Sequence, residues 1–408
     1  MHLALRVGDI VSTDDFASGT VAAACGGVTT VADFTSNLRG DDLREAVRTR
    51  LAEAEGRLAV DLVLHLTLAD ASDSTLAALP ALAADGFATA KLYMTYPGLR
   101  LDDAELIRAL AACAASGILP LVHAENHHAA EHLATRLAET GQTAPRCHAL
   151  SRPPLVEGEA ANRALALAAL IGAPVYLAHV TCRETLEAIA AARARGQRVV
   201  AETCPQYLAL TDACLDGPGF EGARYVCAPP LRPAGHGDAL WQALAAGELQ
   251  IISTDHCPWN YQLEKQRGRE DFRRIPAGLP GIETRIPLVY GLGVAAGRLS
   301  VERMASACAA EPARALGLYP RKGAIAVGSD ADLAILDPAG TTTLGAARLH
   351  QRVDYCPFEG WQVPGRLVAT VARGRVVAHE GSYVGQIGQG SVLRAAPRFE
   401  ACSRHRPV

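Results

Sequence analysis

The chain has 408 residues, 49% of them apolar, and a formal net charge of −4, so it is long enough for one large domain with a smaller one attached. Charges of both signs are dispersed and no Lys/Arg block occurs, which argues against nucleic acid as a partner. The eleven cysteines form no C-x-x-C pairs, and no membrane or export signal is visible, so a reduced, cytoplasmic protein is expected.

The first predicted element is a helix within residues 12–27. Ser12, Thr13 or Asp14 could cap its start, the middle is rich in alanine, and the pair Gly26–Gly27 would end it.

From residue 27 to about 290, apolar runs alternate with Ala/Leu/Glu/Arg-rich stretches, which predicts a parallel sheet covered by helices. Strands are predicted at 27–34, 60–66, 87–95, 118–125, 174–180, 198–204 and 249–256. Helices are predicted at 41–56, 102–116, 127–140, 157–171 and 183–196. The seven strands are one short of a (β/α)8 barrel. A first strand would have to end at about His2, so most of it is expected to be missing from this sequence.

The pattern changes after about residue 310. The segments 322–337 and 367–381 are typical of antiparallel strands with tight turns, and they predict a small β domain of the sandwich type. We therefore divide the α/β chain into a barrel at 1–315, a small β domain at 316–385 and a C-terminal tail at 386–408.

Several polar side chains stand at the carboxyl ends of the predicted strands, where barrel enzymes place their active sites. They are Lys91, His123, His179, Glu202 and Asp255, with His2 if a first strand ends there. Taken singly, such a histidine is usually a hydrogen-bonded structural residue, and such an aspartate is often a helix cap. Buried together without a metal they would leave charges unpaired, and imidazole with carboxylate is a zinc-type ligand set, so the set favours a metal site.

Ten segments in the same order along the chain resemble the dihydropyrimidinase/hydantoinase branch of the amidohydrolase superfamily. They are STDDFASGTVAAACGGVTTVADF, KLYMTYPG, VHAEN, SRPPLVEGEAANRALALA, YLAHVTC, AETCPQYL, YVCAPPLR, STDHCPWN, IPAGLPGIETRIPL and GSDADLAILDP. The resemblance implies an enzyme with two Zn2+ ions per subunit in a (β/α)8 barrel.

The resemblance also implies the ligands of these metals. Lys91 matches the lysine that CO2 carboxylates and that then bridges both ions. His123 and His179 match ligands of one metal, and His2 and Asp255 match ligands of the other. The family's first motif is His-x-His, of which only His2 is present, so the chain is expected to be truncated at its N-terminus relative to the family.

The resemblance implies roles for the remaining site residues as well. Tyr96 matches the tyrosine that hydrogen-bonds the reacting carbonyl, and Asp255 would carry a proton from a metal-bridged hydroxide to the leaving nitrogen. Ala228 and Ala277 stand where the family usually has Ser and Asn, at positions that hold the ring amides largely through the main chain.

The implied activity is hydrolysis of a dihydropyrimidine or a 5-substituted hydantoin to an N-carbamoyl amino acid, by a homotetramer or homodimer. Allantoinase remains an alternative, whereas dihydroorotase is disfavoured because Ala4 replaces the arginine that would pair with a substrate carboxylate. A catalytically silent scaffold homologue is a second alternative, although retention of Lys91, His123, His179 and Asp255 argues against it.

Overall fold

The structure, a computed structural model, describes residues 1–395, and the strands of this part form three separate sheets. The smallest is a hairpin in which β1 (Arg6–Val7) pairs antiparallel with β2 (Ile10–Val11). The largest is a parallel sheet of seven strands that pair in sequence order: β3 (Thr30–Phe34), β4 (Asp61–Leu68), β5 (Thr89–Tyr93), β6 (Leu119–His123), β7 (Val175–Leu177), β8 (Val199–Thr203) and β9 (Ile251–Ile252). Each of the seven overlaps one predicted run, so the predicted strand positions are confirmed.

Helices alternate with the parallel strands and cover them. They are α1 (Phe16–Cys25), α2 (Leu43–Ala54), α3 (Asp73–Ala84), α4 (Asp103–Ala115), α5 (His127–Glu139), α6 (Arg146–Leu150), α7 (Pro154–Leu170), α8 (Arg183–Ala194), α9 (Pro205–Ala209), α10 (His236–Ala246), α11 (Arg285–Val289), α12 (Val301–Ala305) and α13 (Glu311–Ala315). π-helical turns at Tyr290–Val294 and Ser306–Ala310 extend α11 and α12. Every residue of β4, β5 and β6 is buried, as expected for strands covered on both faces.

The first two residues lie between the edge strands β3 and β9. The amino group of Met1 donates to the carbonyl of Ala32 in β3 at 2.8 Å, and His2 N donates to the carbonyl of His256, just after β9, at 2.7 Å. His2 therefore stands at the carboxyl end of the sheet, on the same rim as the ends of the seven strands.

The third sheet is antiparallel, in the order β10 (Leu333–Thr343), β11 (Gln362–Ala372), β12 (Arg375–His379) and β13 (Ser382–Tyr383). The sequence predicted a sandwich, but among the described residues this region has one sheet. It packs against the part of the chain that carries the parallel sheet, since the Gly27 turn after α1 lies next to the side chains of Leu367 and Ala334.

Two local predictions need correction. The N-cap of α1 is Asp15, not Ser12, Thr13 or Asp14, and Asp15 forms a reciprocal capping box with Ser18. Asp14 is engaged elsewhere, since its carboxylate lies 2.9 Å from His256 Nε2 and accepts from the backbone of Arg352. In the segment 322–337 a strand begins only at Leu333, and before it Lys322 forms ion pairs with Asp330 and Asp332.

The segment predicted as a tail divides at the limit of the structure. Gly388 and Leu393 donate backbone hydrogen bonds to Leu58 and Leu62, so this part of the segment lies along the start of β4 and the residues before it. Residues 396–408 of the predicted tail lie outside the described residues. In the described part, no helix has the length and apolar content that crossing a membrane requires.

Candidate metal centre

The rim at the carboxyl ends of the parallel strands collects the predicted metal ligands. Lys91 lies within β5, His123 is the last residue of β6, His179 follows β7 by two residues, and Asp255 follows β9 by three. Because neighbouring parallel strands end at one edge of a sheet, residues far apart in sequence converge there.

The predicted ligands contact one another. The rings of His123 and His179 meet edge to face with centroids 4.5 Å apart, and His2 Nε2 lies 3.3 Å from Asp255 Oδ1. Lys91, His179 and Asp255 also line a cavity of about 140 Å³ inside the sheet. The structure thus brings all five predicted metal-binding side chains to one place.

The chemistry of this set fits divalent metal ions. His179 Nδ1 is buried and has no hydrogen-bond partner among the described residues, which is costly unless a ligand satisfies the nitrogen. Lys91 is 3% exposed, and its Nζ lies 5.3 Å from the Tyr93 ring centroid and 5.5 Å from that of Phe34. Imidazole nitrogens with a carboxylate are the donors that zinc-type ions select.

Burial sets the protonation state of the nitrogen donors. It lowers the pKa of His2, although the hydrogen bond with Asp255 acts in the opposite direction. It lowers the pKa of His179 well below its usual value, and the neighbouring His123 and Lys91 lower it further. Burial also lowers the pKa of Lys91 against the attraction of Asp255. All three shifts favour the neutral forms, and a neutral imidazole is the form that binds a metal.

Asp255 behaves in the opposite way. Its burial alone would raise the pKa of the carboxyl, but the hydrogen bond with His2 and the nearby His179 and Lys91 hold that pKa far below its usual range. The group is therefore an anion at neutral pH, as both a metal ligand and a proton acceptor require.

Three residues of the site carry a strained backbone. Tyr96, His179 and Asp255 have φ angles of 75°, 36° and 47°, in the left-handed region that side chains other than glycine rarely adopt. Such conformations cluster at functional sites, where the surrounding structure holds them.

Tyr96 contacts His123, one of the two paired histidines, directly. Its ring meets that of His123 edge to face at 5.1 Å and that of Tyr93 at 5.9 Å. Burial raises the pKa of Tyr96 well above its usual value, with Glu125 as a further cause, so its hydroxyl keeps its proton and can act as a hydrogen-bond donor.

Ala228 and Ala277 do not line the 140 Å³ cavity, but the segments that carry them are joined. Gly278 N donates to the carbonyl of Val226 at 3.0 Å, and Lys265 Nζ donates to the carbonyls of Val226 and Pro276 at 3.0 and 3.2 Å. The carbonyl of Ala277 itself accepts from Trp259 Nε1 at 3.1 Å. These two positions are therefore held relative to each other through the main chain.

Sequence reasoning gave no role to two buried residues of the site. Glu125 is fully buried, its Oε2 lies 2.8 Å from His123 Nε2, and its pKa is lowered to about 2, against burial, by Arg152 and His123. His65, inside β4, lines the cavity, and its Nδ1 lies 2.7 Å from Thr89 Oγ1. The sequence VHAE could have identified Glu125 as the carboxylate that orients His123, whereas His65 is hidden inside an apolar strand.

Glu202, which the sequence singled out without a role, also lines the cavity. It accepts a hydrogen bond from the Tyr176 hydroxyl at 2.5 Å, and burial raises the pKa of its carboxyl. It also accepts from the backbone of His179, whose N lies 3.4 Å from Glu202 Oε1.

Comparison with known proteins gives consistent results. Residues 5–377 match the Amidohydrolase family. A D-hydantoinase of Ralstonia pickettii is 45% identical over 384 residues, which are 94% of this chain and 84% of that protein. A crystal structure of D-hydantoinase superposes with a TM-score of 0.96 at 41% identity, covering 98% of this chain and 87% of the other. The crystal structure of the dihydropyrimidinase from Brevibacillus agri NCHU1002 gives a TM-score of 0.95 at 40% identity, with 97% and 86% covered.

Proposed function

The chain belongs to the amidohydrolase family, and from this premise we propose that it is a cyclic amidohydrolase that opens a 5-substituted hydantoin or a dihydropyrimidine to an N-carbamoyl amino acid. The convergence of Lys91, His123, His179 and Asp255 at one rim is the observation that carries this proposal. The similarity to D-hydantoinases and to a dihydropyrimidinase supports the substrate class.

We propose that two zinc ions bind at this rim, with His123 and His179 at one and with His2 and Asp255 at the other. Lys91 would join them after its neutral Nζ adds to CO2 and loses a proton, which converts the amine into an anionic carbamate. When bound, such a pair of ions lowers the pKa of water and so supplies a nucleophile at neutral pH.

The residues of the chain would carry the rest of the reaction. The Tyr96 hydroxyl would donate to the oxygen of the ring carbonyl as negative charge develops there, a contribution typically worth about 3–4 kcal/mol. Asp255 would take up the proton of the attacking water on a carboxylate oxygen and deliver it to the ring nitrogen as the C–N bond breaks. The joined main-chain segments at Ala228 and Ala277 would hold the ring amides.

We also propose that the seven parallel strands correspond to the (β/α)8-type barrel of the family, with residues 1–2 seated between β3 and β9. A homotetrameric or homodimeric assembly is proposed from the resemblance alone. Size-exclusion chromatography with light scattering tests the assembly.

The decisive experiment combines metal analysis with a substrate panel. We expect about two zinc ions per chain and turnover of a 5-substituted hydantoin or dihydrouracil in preference to allantoin and dihydroorotate. Asp255→Asn should abolish turnover while leaving the fold intact by circular dichroism. If the chain bound no zinc and turned over none of the four substrates, the proposal would be refuted. If it preferred allantoin, the proposed substrate would be wrong and allantoin would take its place.

A further inference from the structure

A second group of metal-binding side chains lies away from the rim, where the barrel meets the antiparallel sheet. It consists of Cys25 at the end of α1, Glu283 in the loop before α11 and His350 after the turn Ala346–Arg348. One ligand atom from each lies within 4.8 Å of the other two. None of the three belongs to the candidate metal centre.

Two of the three side chains are already fixed in position. His350 Nδ1 lies 2.8 Å from Glu283 Oε1, and His350 N donates to Glu283 Oε2 at 2.6 Å. Glycine at position 26 permits the close approach, since a Cβ there would lie 2.6 Å from the Cα of Glu283. The contact between Glu283 and His350 is sufficient to hold the loop in place. It gives no reason for a cysteine at position 25, beside these two side chains.

The thiol of Cys25 makes the group unusual. Cys25 and Glu283 are 7% and 6% exposed, and burial together with Glu283 raises the pKa of the thiol to about 12. A thiol placed beside a buried carboxylate keeps its proton until a cation compensates both negative charges. Burial and the nearby Cys25 also raise the pKa of Tyr383, whose buried hydroxyl oxygen has no partner among the described residues.

We propose that Cys25, Glu283 and His350 form a separate binding site for a borderline divalent cation of the zinc type. Sulfur, carboxylate oxygen and imidazole nitrogen are the three donor types that Zn2+ combines in proteins, and three protein ligands leave one position for water. The His350 side chain is 31% exposed, which provides a path for the ion. Binding converts the Cys25 thiol into a thiolate, and it releases to solvent the proton of the thiol and any proton that the imidazole of His350 carries beside Glu283.

The consequence of such a site is mechanical. An ion held by α1, the loop before α11 and the segment after Arg348 would tie the antiparallel-sheet region to the barrel. It would stabilise the folded state in proportion to its affinity, because the unfolded chain does not present the three ligands together.

Co2+ tests this site without reference to catalysis, because thiolate–cobalt coordination gives a charge-transfer absorption in the near ultraviolet. None of the ligands proposed at the rim is a cysteine, so cobalt bound there gives no such band. Titrating protein that holds two zinc ions per chain, so that this third site is free, with Co2+ should produce the band with one added equivalent per chain. Cys25→Ser should abolish it, whereas Cys308→Ser, a matched change at a partly buried cysteine, should retain it.

His350→Ala supplies a second variant at a partly exposed position, in case Cys25→Ser does not fold. Loss of an outer-shell partner already weakens metal affinity about 10- to 100-fold, so loss of this ligand should weaken cobalt binding at least as much. Absence of the band in the unmodified protein, its persistence in Cys25→Ser, or unchanged affinity in His350→Ala would overturn the proposal.

Discussion

At the scale of single residues, the proposed function depends on buried side chains whose protonation states and hydrogen bonding differ from those of the same groups in water. His179 has a buried nitrogen without a partner among the described residues, Asp255 stays ionised inside the protein, and Tyr96 keeps its hydroxyl proton. Each of these states follows from burial combined with one or two neighbours. A substitution at one of these residues should therefore have an effect that depends on which atom of the side chain it removes.

Tyr96→Phe removes only the hydroxyl proposed to bond the developing oxyanion. We expect kcat to fall about 10²- to 10³-fold with a small change in KM, because the bond strengthens in the transition state. Steady-state kinetics with a 5-substituted hydantoin measures this. Tyr93→Phe, at the adjacent tyrosine, is the control and should retain most of the activity, and an equal loss in both variants would count against the role of Tyr96.

Lys265 predicts a pH dependence of stability. Burial lowers its pKa to about 7, so between about pH 7 and pH 10 the unfolded chain binds a proton that the folded chain does not. Stability of the unmodified protein should therefore rise with pH relative to Lys265→Met, by up to about 1.4 kcal/mol per pH unit, and the difference should be constant below about pH 7. Urea unfolding across this range measures the difference. Arg267→Met, at an exposed arginine, should show no such trend, and parallel curves for Lys265→Met would contradict the pKa assignment.

At the scale of elements, a buried ion pair links a strand, a helix and the first residues of the chain. Asp33 of β3 and Arg50 of α2 are 1% and 2% exposed, and Arg50 NH2 lies 2.5 Å from Asp33 Oδ2. The same guanidinium donates to the carbonyl of Leu3, and Leu3 N donates to Asp33 Oδ1 at 3.4 Å. The pair therefore positions the segment that carries His2.

Asp33→Ala should lower the free energy of unfolding by up to about 3–5 kcal/mol, because it leaves the buried Arg50 guanidinium with only the half-exposed Glu53 as counter-ion. It should also lower the zinc content, since His2 loses its support. Chemical denaturation and metal analysis measure the two effects. Glu45→Ala removes the partner of the exposed Arg48 on the same helix and should change stability by less than about 1 kcal/mol. If Asp33→Ala were as mild as this control, the pair would not anchor the segment.

At the scale of the whole molecule, a charge cluster joins the parallel sheet to the antiparallel one. Lys322 Nζ lies 2.8 Å from Asp61 at the start of β4, 2.6 Å from Asp332 and 3.0 Å from Asp330, both just before β10. Burial opposes the charge of Lys322, but its hydrogen bonds to Asp332 and Asp61 outweigh this and raise its pKa. The two sheets thus share one buried cation.

Lys322→Met should destabilise the protein by up to about 3–5 kcal/mol, because Asp332 would remain buried without a counter-ion and Asp61 would keep only Arg373. Arg321→Met, at the neighbouring and half-exposed arginine that pairs with Asp330, is the matched control and should cost less than about 1 kcal/mol. Calorimetric or denaturant unfolding distinguishes them. Similar losses in both variants would show that general surface charge, rather than the buried cluster, is responsible.

The sequence by itself determined the positions of the seven parallel strands, the family and the residues that meet at the rim. It could do so because strands covered on both faces must be continuous apolar runs, so that a polar residue at the end of such a run stands out. In a parallel sheet all strands end at the same edge, so polar residues at the ends of successive strands lie close together there. Lys91, His123, His179 and Asp255 were identified in this way.

Only the tertiary structure decided matters that depend on partners distant in sequence. The sequence predicted Ser12, Thr13 or Asp14 as the cap of α1, whereas Asp15 caps it and Asp14 instead contacts His256 and the backbone of Arg352. In the sequence His65 resembles a residue of the core, and only the structure shows the cavity beside it. Cys25 lies more than two hundred residues before Glu283 and His350 in the sequence. Long-range packing brings such groups together, and no local pattern in the chain records which of them will meet.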